Sequence, residues 1–183
     1  MGTGIIICGL NGVGKSTLGK ALAEKLKLHF IDNEDLYFPK TDPERPYASP
    51  RSRSEVENLL LQRIRMHGRF LFASVKGDYS EAVTSCFQYA VLIQVPRQIR
   101  LQRVRDRSFQ RFGPRMLPGG DLHDSEEHFF QLVESRPENT VEEWARSLSC
   151  PVIRVDGTRP VAENISLIAE HLAPEHPVQN KKC

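Results

Sequence analysis

Gly9-Leu10-Asn11-Gly12-Val13-Gly14-Lys15-Ser16 is the stretch that decides the fold. It fits G-x-x-x-x-G-K-[ST], the phosphate-binding P-loop. Ile5-Ile6-Ile7-Cys8 before it is a short apolar run that reads as a buried strand. Leu18, Ala21, Leu22 and Leu26 after it recur at helical spacing. The glycines therefore sit between a strand and a helix, where such a loop works. Gly12 and Gly14 let the backbone turn where a Cβ would clash. The freed N–H groups form a nest at a helix N-terminus, and the helix dipole favours phosphate there. The expected nucleotide-binding set is Gly9, Asn11, Gly12, Val13, Gly14, Lys15, Ser16 and Thr17. Lys15 reaches the β- and γ-phosphates, and the Ser16 hydroxyl is a magnesium ligand.

The 183 residues suit one domain over residues 1–172, followed by a tail at 173–183 with the composition of a disordered end. Hydrophobic content of 39% and charged content of 26% are those of a soluble globular chain. No apolar run approaches ~20 residues, so no membrane span is expected. The N-terminus lacks the basic region and long apolar segment of a secretory signal. Cys8, Cys86, Cys150 and Cys183 fit no zinc spacing, and Cys8 reads as a small core hydrophobe. A reduced, cytoplasmic setting is expected.

His29-Phe30-Ile31 reads as a second strand, and it stops at Asp32-Asn33-Glu34-Asp35. Ligands of an open α/β sheet bind outside the carboxyl ends of its strands, so these acids share an edge with the P-loop. The same residues suit the N-terminus of a short helix through Leu36, and the two readings are compatible. Residues 39–53 hold Pro39, Pro43, Pro46 and Pro50 with Arg45, Arg51 and Arg53. This is an irregular excursion within an acceptor-side region of about 36–67, and its arginines either hold an anionic acceptor or face solvent. Val56, Leu59, Leu60 and Ile64 predict a helix from about Ser54 to His67, stopped by Gly68.

Phe70 to Val75 reads as a third strand, followed at once by Lys76-Gly77-Asp78. Those three are candidate acceptor contacts, with a plain turn as the alternative. Ser80 to Gln88 predicts a weak helix, Tyr89 to Val95 a fourth strand, and Pro96 its end. Residues 97–115 then carry seven arginines opposed locally only by Asp106. This stretch begins as a helix and breaks at Gly113-Pro114, with 113–120 as a mobile loop. Asp124 or Ser125 caps the next helix, and Val141, Trp144, Ala145 and Leu148 mark another, with Trp144 in the core. Pro151 to Val155 is the fifth strand, and Val161, Ile165, Ile168 and Leu172 stripe the last helix. Strands alternating with helices argue for a parallel sheet covered on both faces.

Phosphoryl transfer needs positive charge on the transferring group and exclusion of water. An arginine-rich segment after strand four supplies both if it closes over nucleotide, so residues 103–120 are read as a lid. The alternatives are a solvated helix and a nucleic-acid patch. Only Phe109 and Phe112 lie nearby, without a stacking period, which disfavours nucleic acid.

Four segments together resemble the small P-loop kinases: nucleoside-monophosphate kinases, shikimate kinase and gluconate kinase. They are the P-loop; Phe30-Ile31-Asp32-Asn33-Glu34-Asp35, similar to the F-x-D-x-D segment of shikimate-type kinases; Val95-Pro96 with Arg103 and Arg107; and Val155-Asp156-Gly157-Thr158-Arg159-Pro160, similar to the adenine-surrounding loop of adenylate kinase. The D-G-x-P-R segment of adenylate kinase and the glycine triplet of shikimate kinase are absent. The resemblance implies a three-layer α/β P-loop NTPase fold, with a five-stranded parallel sheet in the order 2-3-1-4-5 and an arginine-rich lid. It implies ATP and Mg²⁺ as cofactors, Arg103, Gly157, Thr158 and Arg159 around the base, and Arg107 and Arg111 on the phosphates. Lys15, Asp32, Arg107 and Arg111 are the expected catalytic set. Asp32, expected with Ser16 as a metal residue, orients magnesium or takes the acceptor's proton. Glu34, Asp35, Arg51, Lys76, Gly77 and Asp78 are expected with Asp32 at the acceptor.

The expected function is ATP-dependent phosphorylation of a small metabolite or nucleotide by a monomer or homodimer. The other class is a nucleotide-dependent switch or accessory ATPase acting on a protein or RNA. A switch needs neither an acceptor pocket nor a closing cap.

Overall fold

The computed structural model describes residues 3–39, 47 and 49–172. The expected tail at 173–183, and Arg45, Pro43 and Pro46 of the excursion, lie outside the described residues. The sheet has five parallel strands in the order β2-β3-β1-β4-β5, as the family resemblance implies. They are β1 (Gly4–Cys8), β2 (His29–Asp32), β3 (Phe70–Ala73), β4 (Tyr89–Gln94) and β5 (Val152–Asp156). Successive strand residues point to opposite faces. Ile5, Ile6, Ile7 and Cys8 are all fully buried, so helices cover both faces of the central strand. In register, Ile6 sits between Phe72 of β3 and Ala90 of β4.

The helices are α1 (Lys15–Leu26), α2 (Asn33–Tyr37), α3 (Arg53–His67), α4 (Glu81–Thr84), α5 (Arg97–Phe112), α6 (His123–Glu134), α7 (Thr140–Arg146) and α8 (Val161–Leu172). Ser52 begins α3 with a capping box: its hydroxyl accepts from the Glu55 amide, and the Glu55 carboxylate accepts from the Ser52 amide. Gly68 ends α3 at φ 66°. Trp144 packs partly buried against the main core.

The structure departs from the sequence reading mainly after β4. The segment 113–120 opens with a 3-10 helix, Gly113–Met116, rather than a loop. Val104, Met116, Phe130 and Val133 bury a second small core between α5, this turn and α6. The apolar residues of α6 thus anchor the arginine-rich segment, which its own sequence did not suggest. Helix α6 starts at His123 with no side-chain cap, so Asp124 and Ser125 lie in its first turn instead of capping it. Helix α4 spans four residues, shorter than the expected run from Ser80 to Gln88.

The arginines are also better matched than Asp106 alone allows. Arg105 reaches Glu134 at 3.2 Å and Glu127 at 3.7 Å, Arg97 lies 3.8 Å from Glu138, and Arg115 holds Asp121 at 2.7 Å. Arg100 is fully buried and pairs with Glu138. These acids arrive from α6 and the turns flanking it.

Candidate active site

The P-loop joins β1 to α1 in the expected geometry. Gly12 (φ 84°) and Gly14 (φ 96°) adopt left-handed backbone that L side chains rarely enter. A Cβ on Gly12 would also overlap the Arg100 carbonyl, whose carbon lies 2.8 Å away, while one on Gly14 would meet nothing within 4 Å. Gly12 therefore lets α5 press its backbone onto the loop. The space over Gly14 opens into a cleft of about 550 Å³, lined on this side by Asn11, Gly12, Lys15, Ser16 and Thr17.

Lys15 Nζ donates to its own loop, to the carbonyls of Gly9 (2.9 Å) and Leu10 (3.0 Å). Burial lowers its pKa to about 8; the Asp32 charge opposes this, while Arg107 and Arg136 add to it. These three cations share one field at the loop, an arrangement suited to a polyanion. Ser16 Oγ donates to Asp32 Oδ2 at 2.5 Å. Asp32 Oδ1 accepts from the Glu34 amide at 3.0 Å and so caps α2. Asp32 is thus both the helix cap and a site acid. A hydroxyl and a carboxylate oxygen side by side suit Mg²⁺, a hard cation that takes one or two protein oxygens and fills its shell with water and phosphate. The donor set fits the ion.

The opposite wall is α5. Arg103, Arg107 and Arg111 fall four residues apart, on one helical face, and all three line the cleft. The row spans roughly 12 Å at 1.5 Å per residue. At one end Arg103 Nη1 donates to the Gly157 carbonyl at 3.1 Å. Gly157 is seated on the P-loop, since a Cβ there would stand 2.8 Å from the Val13 carbonyl oxygen. Thr158 turns its amide (2.8 Å) and hydroxyl (2.6 Å) onto Asp156, which lowers the pKa of that carboxyl. Arg159 extends toward solvent, 4.0 Å from Asp156. At the other end Arg111 donates to Tyr47 Oη and lies over the Tyr47 ring at 4.8 Å. Tyr47 Oη in turn donates to Glu34 at 2.8 Å, and burial with the Glu34 charge pushes its pKa up to about 12. A chain of polar contacts therefore spans the cleft mouth from α5 to α2.

Several expected acceptor contacts lie elsewhere. Arg51 donates to the Leu36 carbonyl at 2.7 Å and braces the end of α2 rather than lining the cleft. Lys76 and Asp78 pair with each other at 3.2 Å, and Asp78 also faces Arg53 at 3.9 Å. Gly77 packs over Ile6 and Phe87. These three form the plain turn that was the alternative, and Ala73, Ser74 and Val75 line the cleft in their place. Asp35 lies on the exposed side of α2.

Other cleft residues carry little signal in the sequence. Arg136, just past α6, donates to Asn11 Oδ1 at 2.9 Å. Glu126, only 7% exposed, lines the cleft with an Oε2 that has no hydrogen-bond partner among the described residues. The Ser125-Glu126 pair near a helix start was the available hint, and it reads equally as helix-start chemistry. Tyr37, Phe38, Phe112 and Phe129 complete the wall. Beneath the P-loop, a separate cavity of about 580 Å³ is lined by Val13, Val95, Arg100, Glu138 and Glu142.

Comparison with known proteins agrees with this fold. The AAA domain family matches residues 5–111. An uncharacterised Bacillus subtilis protein, YqaC, is 28% identical over 177 residues, covering 92% of this chain and 97% of its own. A shikimate kinase of Francisella tularensis subsp. novicida is 24% identical over 168 residues, covering 92% and 78%. Among solved structures, a gluconokinase from Sinorhizobium meliloti 1021 superposes with a TM-score of 0.55 at 19% identity, over 93% of this chain and 95% of its own. A sugar kinase from Janibacter sp. HTCC2649 gives 0.54 at 13% identity, over 94% and 95%.

Proposed function

The chain belongs to the AAA domain family and has the fold of the small P-loop kinases, and from that premise we propose that it transfers the γ-phosphate of ATP to a hydroxyl or phosphate of a small molecule. The observation that carries the reading is the arginine row of α5 facing Lys15, Ser16 and Asp32 across one cleft.

Arg103 and the Gly157-Thr158 turn take the base, Arg159 its rim, and the backbone of residues 12–16 the phosphates. Lys15 leaves the Gly9 and Leu10 carbonyls for the β- and γ-phosphates. Arg107 neutralises charge on the transferring group, where such contacts are worth several kcal/mol. Magnesium, when bound, would supply positive charge that offsets the charge of the triphosphate. Ser16 and Asp32 are the residues that would hold it. In the transfer the bond from γ-phosphorus to the β,γ-bridging oxygen breaks, and a bond from the acceptor oxygen to that phosphorus forms. The acceptor's proton passes to a carboxylate at the acceptor side, Asp32 or Glu34.

Among the described residues no helix is long and apolar enough to cross a membrane. The reading is of a cytoplasmic enzyme acting on a small molecule, as a monomer or homodimer. A switch or accessory ATPase working on RNA or protein would have no use for the enclosed space beyond Arg107. An ATPase assay with candidate acceptors tests the choice. ADP release stimulated by a small molecule supports the kinase; stimulation by RNA or protein alone overturns it.

A further inference from the structure

The cleft is polarised along its length. The cations collect at the P-loop: Lys15, Arg107 and Arg136. Helix α6 runs from Arg136, just past its end, through Leu132 and Phe129 to Glu126, roughly 12–15 Å farther along. Away from those cations the lining also carries rings and carboxylates. Phe38 meets Tyr47 edge to face at 5.0 Å, Phe112 follows Arg111 at the end of α5, and Glu34 stands on α2. The one guanidinium there among the described residues, Arg111, is laid on the Tyr47 ring and bonded to its hydroxyl, which is itself bonded to Glu34. Glu126 Oε2 is buried and has no donor among the described residues.

An anionic acceptor would share the cleft with Glu34 and Glu126 and find Arg111 engaged. Like charges in a partly desolvated site repel, and a buried carboxylate oxygen without a donor is costly. A planar ring satisfies the aromatic wall, and its N–H or O–H groups satisfy the carboxylates. Resting on the kinase reading above, we propose that the acceptor is a neutral, ring-bearing alcohol with hydrogen-bond donors, of the nucleoside class, and not a phosphorylated or carboxylated metabolite. Its hydroxyl oxygen attacks the γ-phosphorus, ADP leaves, and the hydroxyl proton passes to Asp32.

The test uses the full chain with γ-labelled ATP and two acceptor panels. One holds unmodified ribonucleosides and deoxyribonucleosides. The other holds their 5′-monophosphates, shikimate and gluconate. The expected result is labelled nucleoside monophosphate, formed at least tenfold faster than any product of the anionic panel. Phe129→Ala should then raise the acceptor KM about tenfold while leaving ATP affinity unchanged. Preference for the anionic panel overturns the acceptor class and leaves the kinase reading standing. Labelled inorganic phosphate alone from both panels overturns both. An unchanged acceptor KM in Phe129→Ala removes the aromatic wall from the argument and overturns the assignment.

Discussion

Replacing Gly12 and Gly14 separately with alanine isolates the contact between α5 and the P-loop. Both positions have left-handed backbone, at φ 84° and 96°. Each substitution therefore costs about 1–2 kcal/mol in conformational strain. Only Gly12 adds a collision, because its Cβ would overlap the Arg100 carbonyl, with the carbonyl carbon at 2.8 Å and the Cα at 3.0 Å. Backbone cannot rotate aside as a side chain can, so α5 or the loop must shift by roughly an ångström. Overpacking of this kind costs about 1–3 kcal/mol more. Gly12→Ala should thus lose about 2–5 kcal/mol and Gly14→Ala about 1–2. For a chain this long each kcal/mol moves Tm by about 2–4 °C. Thermal unfolding without nucleotide should show Gly12→Ala roughly 2–12 °C below Gly14→Ala. ATP affinity should fall in both, since Gly14→Ala projects a methyl into the nucleotide cleft. Equal Tm values, or a lower one for Gly14→Ala, would refute the close seating of α5 on the loop.

Three further outcomes follow from the same geometry. Burial of Lys15 means the folded chain releases that proton near pH 8, whereas the unfolded chain keeps it until about 10.4. The ammonium that phosphate needs is therefore lost as pH rises through 8, and calorimetry should find ATP bound about fivefold more weakly at pH 9 than at pH 8, with proton uptake; affinity flat from pH 7 to 9.5 contradicts this. Asp32→Asn keeps a good N-cap for α2 but removes the charge beside Ser16, so Tm should stay within a few degrees while kcat falls at least a hundredfold and ATP affinity much less; a parallel fall in both would make Asp32 a ground-state ligand only. Glu138→Ala leaves the buried Arg100 guanidinium without its carboxylate, and because Glu138 is 49% exposed the cost should be about 1–3 kcal/mol, below that of a fully buried pair; adding Arg100→Met should recover part of it, and additive losses in the denaturant midpoint would argue against the pairing.

The strands and the P-loop were legible in the sequence because both rest on local pattern, whereas the strand order, set by contacts distant in the chain, came only from the family resemblance. Ile5 to Cys8 is a continuous apolar run, and Gly12-Val13-Gly14-Lys15-Ser16 permits few other turns. The roles of Arg103, Arg107 and Arg111 came from the resemblance; their four-residue spacing then sets them on one face of α5. What their neighbours do was not legible. Arg97, Arg100, Arg105 and Arg115 look alike in the sequence, and their acids stand 6 to 41 positions downstream, brought close by the turn after α5 for Arg115 and by the packing of α6 on α5 for the rest. The same packing buries Phe130 and Val133 against Val104 and Met116, a core that the arginine-rich segment's own sequence does not show. Arg136, Glu126 and Tyr47 escaped for a related reason, because each enters the cleft from an element with no motif of its own. Lys76-Gly77-Asp78 erred the other way. Its place after β3 suggested chemistry, but the residues close on one another and on Arg53.

The central claim is that phosphate leaves ATP for a small organic molecule. The most direct measurement supplies γ-labelled ATP and a small-metabolite extract to the wild-type chain and to Lys15→Ala, and follows the label by mass. The account predicts a labelled organic product with the wild type and a loss of at least a hundredfold with Lys15→Ala, whose fold is retained. Label recovered only as inorganic phosphate, with or without extract, would contradict it.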